Sequence, residues 1–517
     1  MSQKDFKICF IGAGSVGFTR KILRDTLMVP EFQNIRISFT DINEKNLDMV
    51  TQLAQRDIDS NGLGIEIEAT TDRREALRDA KYIICTVRVG GLEAFQTDID
   101  IPLKYGVDQC VGDTLCAGGI MYGQRTMRVL LDFCKDIREV ASSDALLLNY
   151  ANPMAMNTWA CNKYGGVDTV GLCHGVQNGH AMIAKAFGVE VEDLDVVCIG
   201  INHQTWYTSI KKDGEELTGK LLEALEADEK LAEEEKCRID VLKRFGYFST
   251  ESNGHLSEYI PWYRKRPDEI KDWISLDRWI LGETGGYLRI CTESRNWFET
   301  DFPNWMKEDP FNYSEGSRSI EHGSYIIEGL ETGRVYRGHF NRVNNGTISN
   351  LPDDAVIEAP GYVDANGINM AMAGDLPLGA AGVCNNSITV QRMAVEAAVH
   401  GDVTLLKQAM LLDPLVGAVC NPPEVWQMVD ELLIAQKEWL PQYVDGIAEI
   451  EAYRAKEGWP VETKVTEGAA RLKTKTVEEM AENAEEARRM AAESNRGEKE
   501  GKKFDDTTAT ILKRMKG

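Results

Sequence analysis

Positive charge is in deficit in this sequence. Against 82 aspartates and glutamates stand 58 lysines and arginines, a formal net charge of −24. So acidic a body repels phosphate backbones and anionic headgroups, which argues against nucleic-acid and membrane partners, since both recognise basic footprints. No apolar run approaches the ~20 residues that span a bilayer. Met1-Ser-Gln-Lys-Asp5 passes directly into Phe6-Lys-Ile-Cys-Phe-Ile11, with neither the long apolar core nor the small-residue cleavage site of a secretory signal. The twelve cysteines show no C-x-x-C pairing, so neither a disulfide framework nor a zinc finger is expected. Buried thiols in a reducing cytoplasm are. Internal repeats are missing as well.

What is present is a long chain of soluble composition. Its 517 residues exceed the roughly 250–300 that one core supports. Short apolar strands alternate with helical stretches: Ile8 to Ile11, Ile35 to Thr40, Tyr82 to Val87 and Asp144 to Tyr150. That alternation predicts an α/β fold with a parallel, doubly wound, Rossmann-like sheet. From about residue 200 longer helices and aromatic-rich loops take over, as expected of an α+β domain. The expected divisions are therefore 1–200, a dinucleotide-binding domain; 201–445, an α+β domain carrying the rest of the site; and 446–517, a charged, partly helical extension. Residues 461–517 hold 13 basic and 12 acidic side chains and Phe504 as their one aromatic. They bury little, and Glu478 to Glu493 reads as a solvated helix or, less simply, a partner-binding one.

Gly12-Ala-Gly14-Ser15-Val16-Gly17 fits G-x-G-x-x-G between a strand and a helix. The first glycine suits a tight turn, the second a close approach to pyrophosphate, the third close packing of helix on strand. The N–H groups of the helix start would meet the phosphates. Asp41 ends the second strand, where a carboxylate bonds ribose hydroxyls and repels a 2′-phosphate, so NAD is expected over NADP. A glycine turn without a ligand is the plainer alternative. A hydroxy-acid dehydrogenase of the lactate/malate type would share this region, but the chain is longer and lacks a convincing Asp-x-x-Arg and His pair. A catalytically silent NAD sensor is a third reading.

Downstream, Val170-Gly-Leu-Cys173-His174-Gly175 and Ile199-Gly-Ile-Asn202-His203 bring a thiol and imidazoles to strand ends. A thiolate with an imidazole suits a divalent transition ion, whereas a buried cysteine and satisfied histidines are the bland reading of the same spacing. Asn152, in Asn149-Tyr-Ala-Asn152-Pro153, either offers an amide to a sugar hydroxyl or merely turns the chain.

Taken together these stretches resemble glycoside hydrolase family 4, the NAD- and metal-dependent glycosidases, and within it the melibiase-type α-galactosidases. The likeness is carried by Leu147-Leu-Asn-Tyr-Ala-Asn-Pro-Met-Ala-Met-Asn-Thr-Trp159, Gly171-Leu-Cys-His-Gly-Val-Gln177, Gly200-Ile-Asn-His203 and Gly246-Tyr-Phe-Ser-Thr-Glu-Ser-Asn-Gly-His-Leu-Ser-Glu-Tyr-Ile-Pro-Trp262, then by Ser349-Asn-Leu-Pro352 and Val363-Asp-Ala-Asn-Gly-Ile368. It covers about residues 5–445 and leaves out the charged end. The resemblance implies a lactate/malate dehydrogenase-like fold, Cys173 and His203 as ligands of Mn²⁺, His174 as the acid that protonates the leaving group, and Tyr259 as the base at carbon 2. It also implies Asn152 and Asp113 on sugar hydroxyls, a small-molecule α-glycoside as substrate, and a homodimer or homotetramer.

The implied chemistry departs from the two-carboxylate pattern of most glycosidases. Carbon 3 is oxidised by NAD, which acidifies the carbon 2 proton. The aglycone leaves by elimination, water adds, and the hydride returns. Which sugar is taken depends on small differences. His174-Gly-Val176 disfavours a 6-phosphate, and the overall likeness favours an α-galactoside. Gly175 stands where melibiase-like members often have Ser; the room it leaves would admit a carboxylate at carbon 6, so an α-glucuronide or α-galacturonide, or else an α-glucoside, is the alternative. Leu115-Cys-Ala-Gly-Gly119 also departs from the more usual Leu-Gly-Pro-Gly-Gly.

Overall fold

A computed structural model describes residues 3–275, 279–463 and 466–484. Its strands are β1 (Lys7–Ile11), β2 (Arg36–Thr40), β3 (Ile67–Thr70), β4 (Tyr82–Cys85), β5 (Leu146–Asn149), β6 (Asp168–Gly171), β7 (Leu194–Ile201), β8 (Gln204–Lys212), β9 (Glu215–Glu216), β10 (Phe248–Ser249), β11 (Tyr336–Val343), β12 (Val356–Asp364) and β13 (Gly367–Met370). All belong to one sheet.

The first six strands lie in the order 3-2-1-4-5-6 and are parallel throughout, the order of a doubly wound dinucleotide-binding fold. Their side chains explain it. β1, β4 and β5 are buried at every position, and only strands covered on both faces carry such continuous apolar runs. Part of the cover is the helix Cys116–Val140, whose Leu130, Phe133 and Ile137 join Cys9, Ile83 and Leu147 in one cluster. Each such side chain contributes about 1.5–3 kcal/mol by leaving water.

Beyond β6 the sheet changes character. β11 pairs antiparallel with β6, β12 with β11, β7 with β12, β8 with β7 and β10 with β8. The strands of residues 201–445 thus extend the first sheet, and the division expected at residue 200 falls beside the turn between β7 and β8. One compact unit takes in Met1–Leu288 and Pro310–Leu472. It includes the beginning of the expected extension, because Ile447 and Ile450 join an apolar cluster of that unit. There Gln427 also clasps the backbone of Val461 through both amide atoms at 2.9 Å. A second, smaller unit gathers Arg289–Asp309 and, among the described residues, 473–484; within it the N–H of Lys475 donates to Glu293 Oε1 at 2.9 Å. Residues 477–484 are helical, and the rest of the expected helix to Glu493 lies outside the described residues. No helix among the described residues is long and apolar enough to cross a membrane.

One row across the sheet positions everything that follows. Gly171 of β6 pairs with Asn341 of β11, Asn341 with Glu358 of β12, and Glu358 with Gly200 of β7. At both outer steps this is the single pair of the register.

Candidate active site

The glycine loop follows β1. Gly12 has φ +85°, and a Cβ there would sit 2.9 Å from the Val87 nitrogen, so no side chain fits this turn. The N–H of Gly14 donates to Asp41 Oδ2 at 2.9 Å, and a Cβ on Gly14 would lie 2.9 Å from that same oxygen. Asp41 thereby ties the loop to the end of β2, while its Oδ1 accepts from the N–H of Asn43 at 2.8 Å. A carboxylate has about four acceptor sites, so capacity for ribose hydroxyls remains. Ser15 precedes the helix Val16–Leu27 without capping it through its side chain, which leaves N–H groups of the first turn, from Val16 on, available to phosphate. Gly17 departs from expectation: a Cβ there would meet nothing within 4 Å. It faces open space, and the close helix–strand packing expected of the third glycine is not its role.

After β4 and β5 comes a polar cluster. Asn152 Nδ2 donates to Asp113 Oδ2 at 3.1 Å, Thr114 Oγ1 donates to Asp113 Oδ1 at 2.8 Å, and Arg88 Nη2 lies 3.6 Å from Asp113 Oδ2. Asp113 is wholly buried, and a guanidinium and two hydrogen-bond donors face its carboxyl group. The loop before it hangs on Glu258, whose carboxylate accepts from the N–H groups of Cys110, Val111 and Gly112 at 2.7, 2.7 and 2.9 Å. Glu258 and Tyr259 end the same short helix, Asn253–Tyr259, so one turn sets both the base expected at carbon 2 and the loop expected to hold the sugar. Nearby, Cys116 opens its helix with φ +61°. Glycine adopts that left-handed conformation without strain, whereas a cysteine there is strained.

Cys173 and His203 meet. Sγ and Nε2 are 3.3 Å apart, although their strands are separated by two others, about 14 Å of sheet. Cys173 lies two residues past Gly171 and His203 three past Gly200, the ends of the row where pairing stops. His203 occupies the turn between β7 and β8 with φ +63°. A non-glycine residue in that region costs on the order of 1–2 kcal/mol, a cost retained at sites where a particular side chain is needed. A third group, which sequence reasoning missed, completes the cluster: Glu251 Oε1 is 3.5 Å from Sγ and 3.7 Å from Nε2. The three ligand atoms lie within 4.8 Å of one another. The space expected beside Gly175 is filled by this carboxylate, since a Cβ at Gly175 would lie 1.8 Å from Glu251 Oε1.

Tyr259 is 1% exposed, its ring stacks 6.2 Å from that of His203, and its hydroxyl has no hydrogen-bond partner. Burial, then the charges of Glu258 and Asp113, push the phenol well above its ordinary value. Burial likewise lowers His203, keeping the imidazole in the neutral form that ligates metals. The Cys173 thiol is raised by burial and then by Glu251 and Glu358, so only a neighbouring cation makes it a thiolate at neutral pH. His174 behaves oppositely. Burial opposes its charge, but Glu321, 3.4 Å from Nδ1, outweighs burial and raises the imidazole. Glu321, like Glu251, was not foreseen. Glu251 lies inside a recognised stretch and was available as a signal; Glu321 sits in no motif and reaches His174 only through folding.

Such a layout joins a doubly wound α/β sheet and its glycine loop to a cluster of thiol, imidazole and carboxylate that could hold a metal ion. Comparison gives the family. Residues 7–189 match the model of family 4 glycosyl hydrolases and residues 198–416 that of the family 4 glycosyl hydrolase C-terminal domain; the chain belongs to this family and is a glycoside hydrolase. It is 57% identical over 488 residues to an α-galactosidase of Rhizobium meliloti, covering 94% of this chain and 99% of that one. An α-galactosidase of Bacillus subtilis is 35% identical over 444 residues, covering 84% and 99%. Among solved structures, a 6-phospho-α-glucosidase from gut microorganisms in complex with NAD and glucose-6-phosphate superposes with TM-score 0.69 at 25% identity, covering 85% and 99%. A Thermotoga maritima 6-phospho-β-glucosidase with manganese, NAD⁺ and glucose-6-phosphate does so with TM-score 0.69 at 24% identity, covering 84% and 99%. The hydroxy-acid dehydrogenase and silent-sensor readings give way to this family.

Proposed function

We propose that this glycosidase hydrolyses small α-galactosides, with NAD and Mn²⁺ as its cofactors, through transient oxidation at carbon 3 and elimination across carbons 1 and 2. The observation that carries the reading is the 3.3 Å approach of Cys173 to His203, with the unpartnered hydroxyl of Tyr259 on the ring stacked against His203. The residues present fit both cofactors. The Gly14 cradle, the uncapped helix start and Asp41 suit a dinucleotide, and fully exposed Ile42 offers an apolar face beside Asp41. Thiol, neutral imidazole and carboxylate suit a divalent transition ion. When bound, NAD supplies the hydride acceptor and donor for carbon 3, and Mn²⁺ the positive charge that a phenolate and a developing enolate require.

The chain's own residues do the rest. Asp113 accepts from sugar hydroxyls, and Asn152, fixed to it, both donates and accepts. Tyr259, as phenolate, removes the proton from carbon 2 at its Oη. His174, whose protonated form Glu321 favours from its Nδ1 side, delivers the Nε2 proton to the departing aglycone oxygen. The galactoside preference rests on the Rhizobium and Bacillus relatives. Buried thiols support a cytoplasmic setting, and a homodimer or homotetramer, implied by the family resemblance, is checked by light scattering.

A panel of nitrophenyl α-galactoside, α-glucoside and α-uronides with NAD and Mn²⁺ tests the substrate. Turnover of the galactoside, with solvent deuterium appearing at carbon 2 of the product, is expected. Preference for a uronide would overturn the substrate, and absence of deuterium the elimination.

A further inference from the structure

We infer that Glu251 is a third protein ligand of the cation held by Cys173 and His203, and that Gly175 is glycine because the Glu251 carboxylate occupies the space of its missing side chain. This rests on the proposed function only in taking Cys173 and His203 as ligands. The geometry is that of three atoms sharing one ion. Ligands about 2.0–2.3 Å from a common centre stand roughly 3–3.7 Å from one another, and the separations here are 3.3, 3.5 and 3.7 Å. Glu251 is buried against this cluster, where a carboxylate without a cation or full hydrogen bonding is costly.

The partners on either side explain why the carboxylate stays. Ser252, next in the chain, caps the helix Asn253–Tyr259 by accepting from the N–H of His255. The ring of His255 packs edge-on against His203 at 4.9 Å, so Glu251 and His203 are braced by one short segment. On the other side Gly175 opens the helix Gly175–Phe187, and any Cβ there would fall 1.8 Å from Oε1 and 2.6 Å from Cδ. A soft sulfur, an imidazole nitrogen and a hard oxygen then occupy one face of the ion, leaving the opposite face for sugar oxygens and water.

The experiment measures Mn²⁺ binding directly, by electron paramagnetic resonance of free Mn²⁺ in the full-length protein, without substrate turnover. Glu251→Gln, nearly isosteric, is expected to raise the Kd at least tenfold while NAD affinity and thermal unfolding without metal stay as in the wild type. Gly175→Ala is expected to raise it comparably by displacing the carboxylate, and the double variant to be no weaker than the weaker single one, since both remove the same bond. Wild-type Mn²⁺ affinity in Glu251→Gln overturns the inference, as does full additivity in the double variant. Cys173→Ser separates the two levels: if it too leaves Mn²⁺ binding unchanged, the metal site itself fails, whereas loss there with no loss in Glu251→Gln removes only Glu251.

Discussion

The two halves of the sheet present chemistry in different ways. Around β1 and β2 the glycine loop and Asp41 lie within 30 residues of one another, and a strand, a turn and a helix start suffice to shape the site. Around β6, β7, β11 and β12 the functional groups come from residues 171–175, 200–203, 251–259 and 321, and no local element brings them together. Their meeting depends on the Gly171–Asn341–Glu358–Gly200 row. A motif read along the chain serves for binding that uses backbone N–H groups; an ion that needs unlike side chains on one centre requires a site assembled across the fold.

Substitutions that injure one half and spare the other sharpen this contrast. The largest effect is expected from Cys173→Ser, which should lower turnover on the order of 10³-fold or more and weaken Mn²⁺ binding; NAD binding, measured by fluorescence titration, should be unchanged. Tyr259→Phe comes next. Loss of a general base costs about 10²–10⁴-fold, and solvent deuterium exchange at carbon 2 should stop while both cofactors still bind. Wild-type turnover in Tyr259→Phe would mean that another group is the base. In the other half, Asp41→Ala should raise the NAD Kd about 10–100-fold, the value of one or two hydrogen bonds to a charged group, and leave the Mn²⁺ Kd alone. A parallel change in both constants would break the comparison.

The smallest effect is one of stability. Glu358, buried in the central row and facing Asn202 Nδ2 at 3.5 Å, is pushed by burial from 4.5 to about 8. Its folded form therefore holds a proton that the unfolded chain gives up. Between pH about 4.5 and 8 the unfolded state binds fewer protons at this site, so its contribution turns unfavourable as pH rises and is flat outside that window. Glu358→Gln should be stabilised relative to the wild type increasingly from pH 5 to pH 8, by up to a few kcal/mol at the upper end. Equal denaturant midpoints at both ends would show that Glu358 is ionised throughout.

The contrast also sorts what could be read in advance. Buried, uninterrupted strands such as Lys7–Ile11 and Tyr82–Cys85 announced the parallel half, because an apolar run covered on both faces has few other destinations. The later strands were harder. β7 was legible as a strand but not as an antiparallel one that, with β8, extends the same sheet. Gly17 was assigned close packing by its place in a motif, and only the coordinates revealed open space. Gly175 was read as room for a substrate group, because emptiness at a missing side chain is visible in a sequence while its occupant, 76 positions away, is not.

By itself, then, the chain's order of residues determined the doubly wound half and its glycine turn, features set by local backbone preference and apolar periodicity, while the two candidate ligands were implied by the resemblance of whole motifs. Tertiary structure alone decided that Glu251 joins them, that Glu321 faces His174, and that Glu258 supports the loop of Asp113. Those pairings join segments tens to more than a hundred residues apart, and no local preference encodes which distant carboxylate folding will bring to a given imidazole or backbone N–H.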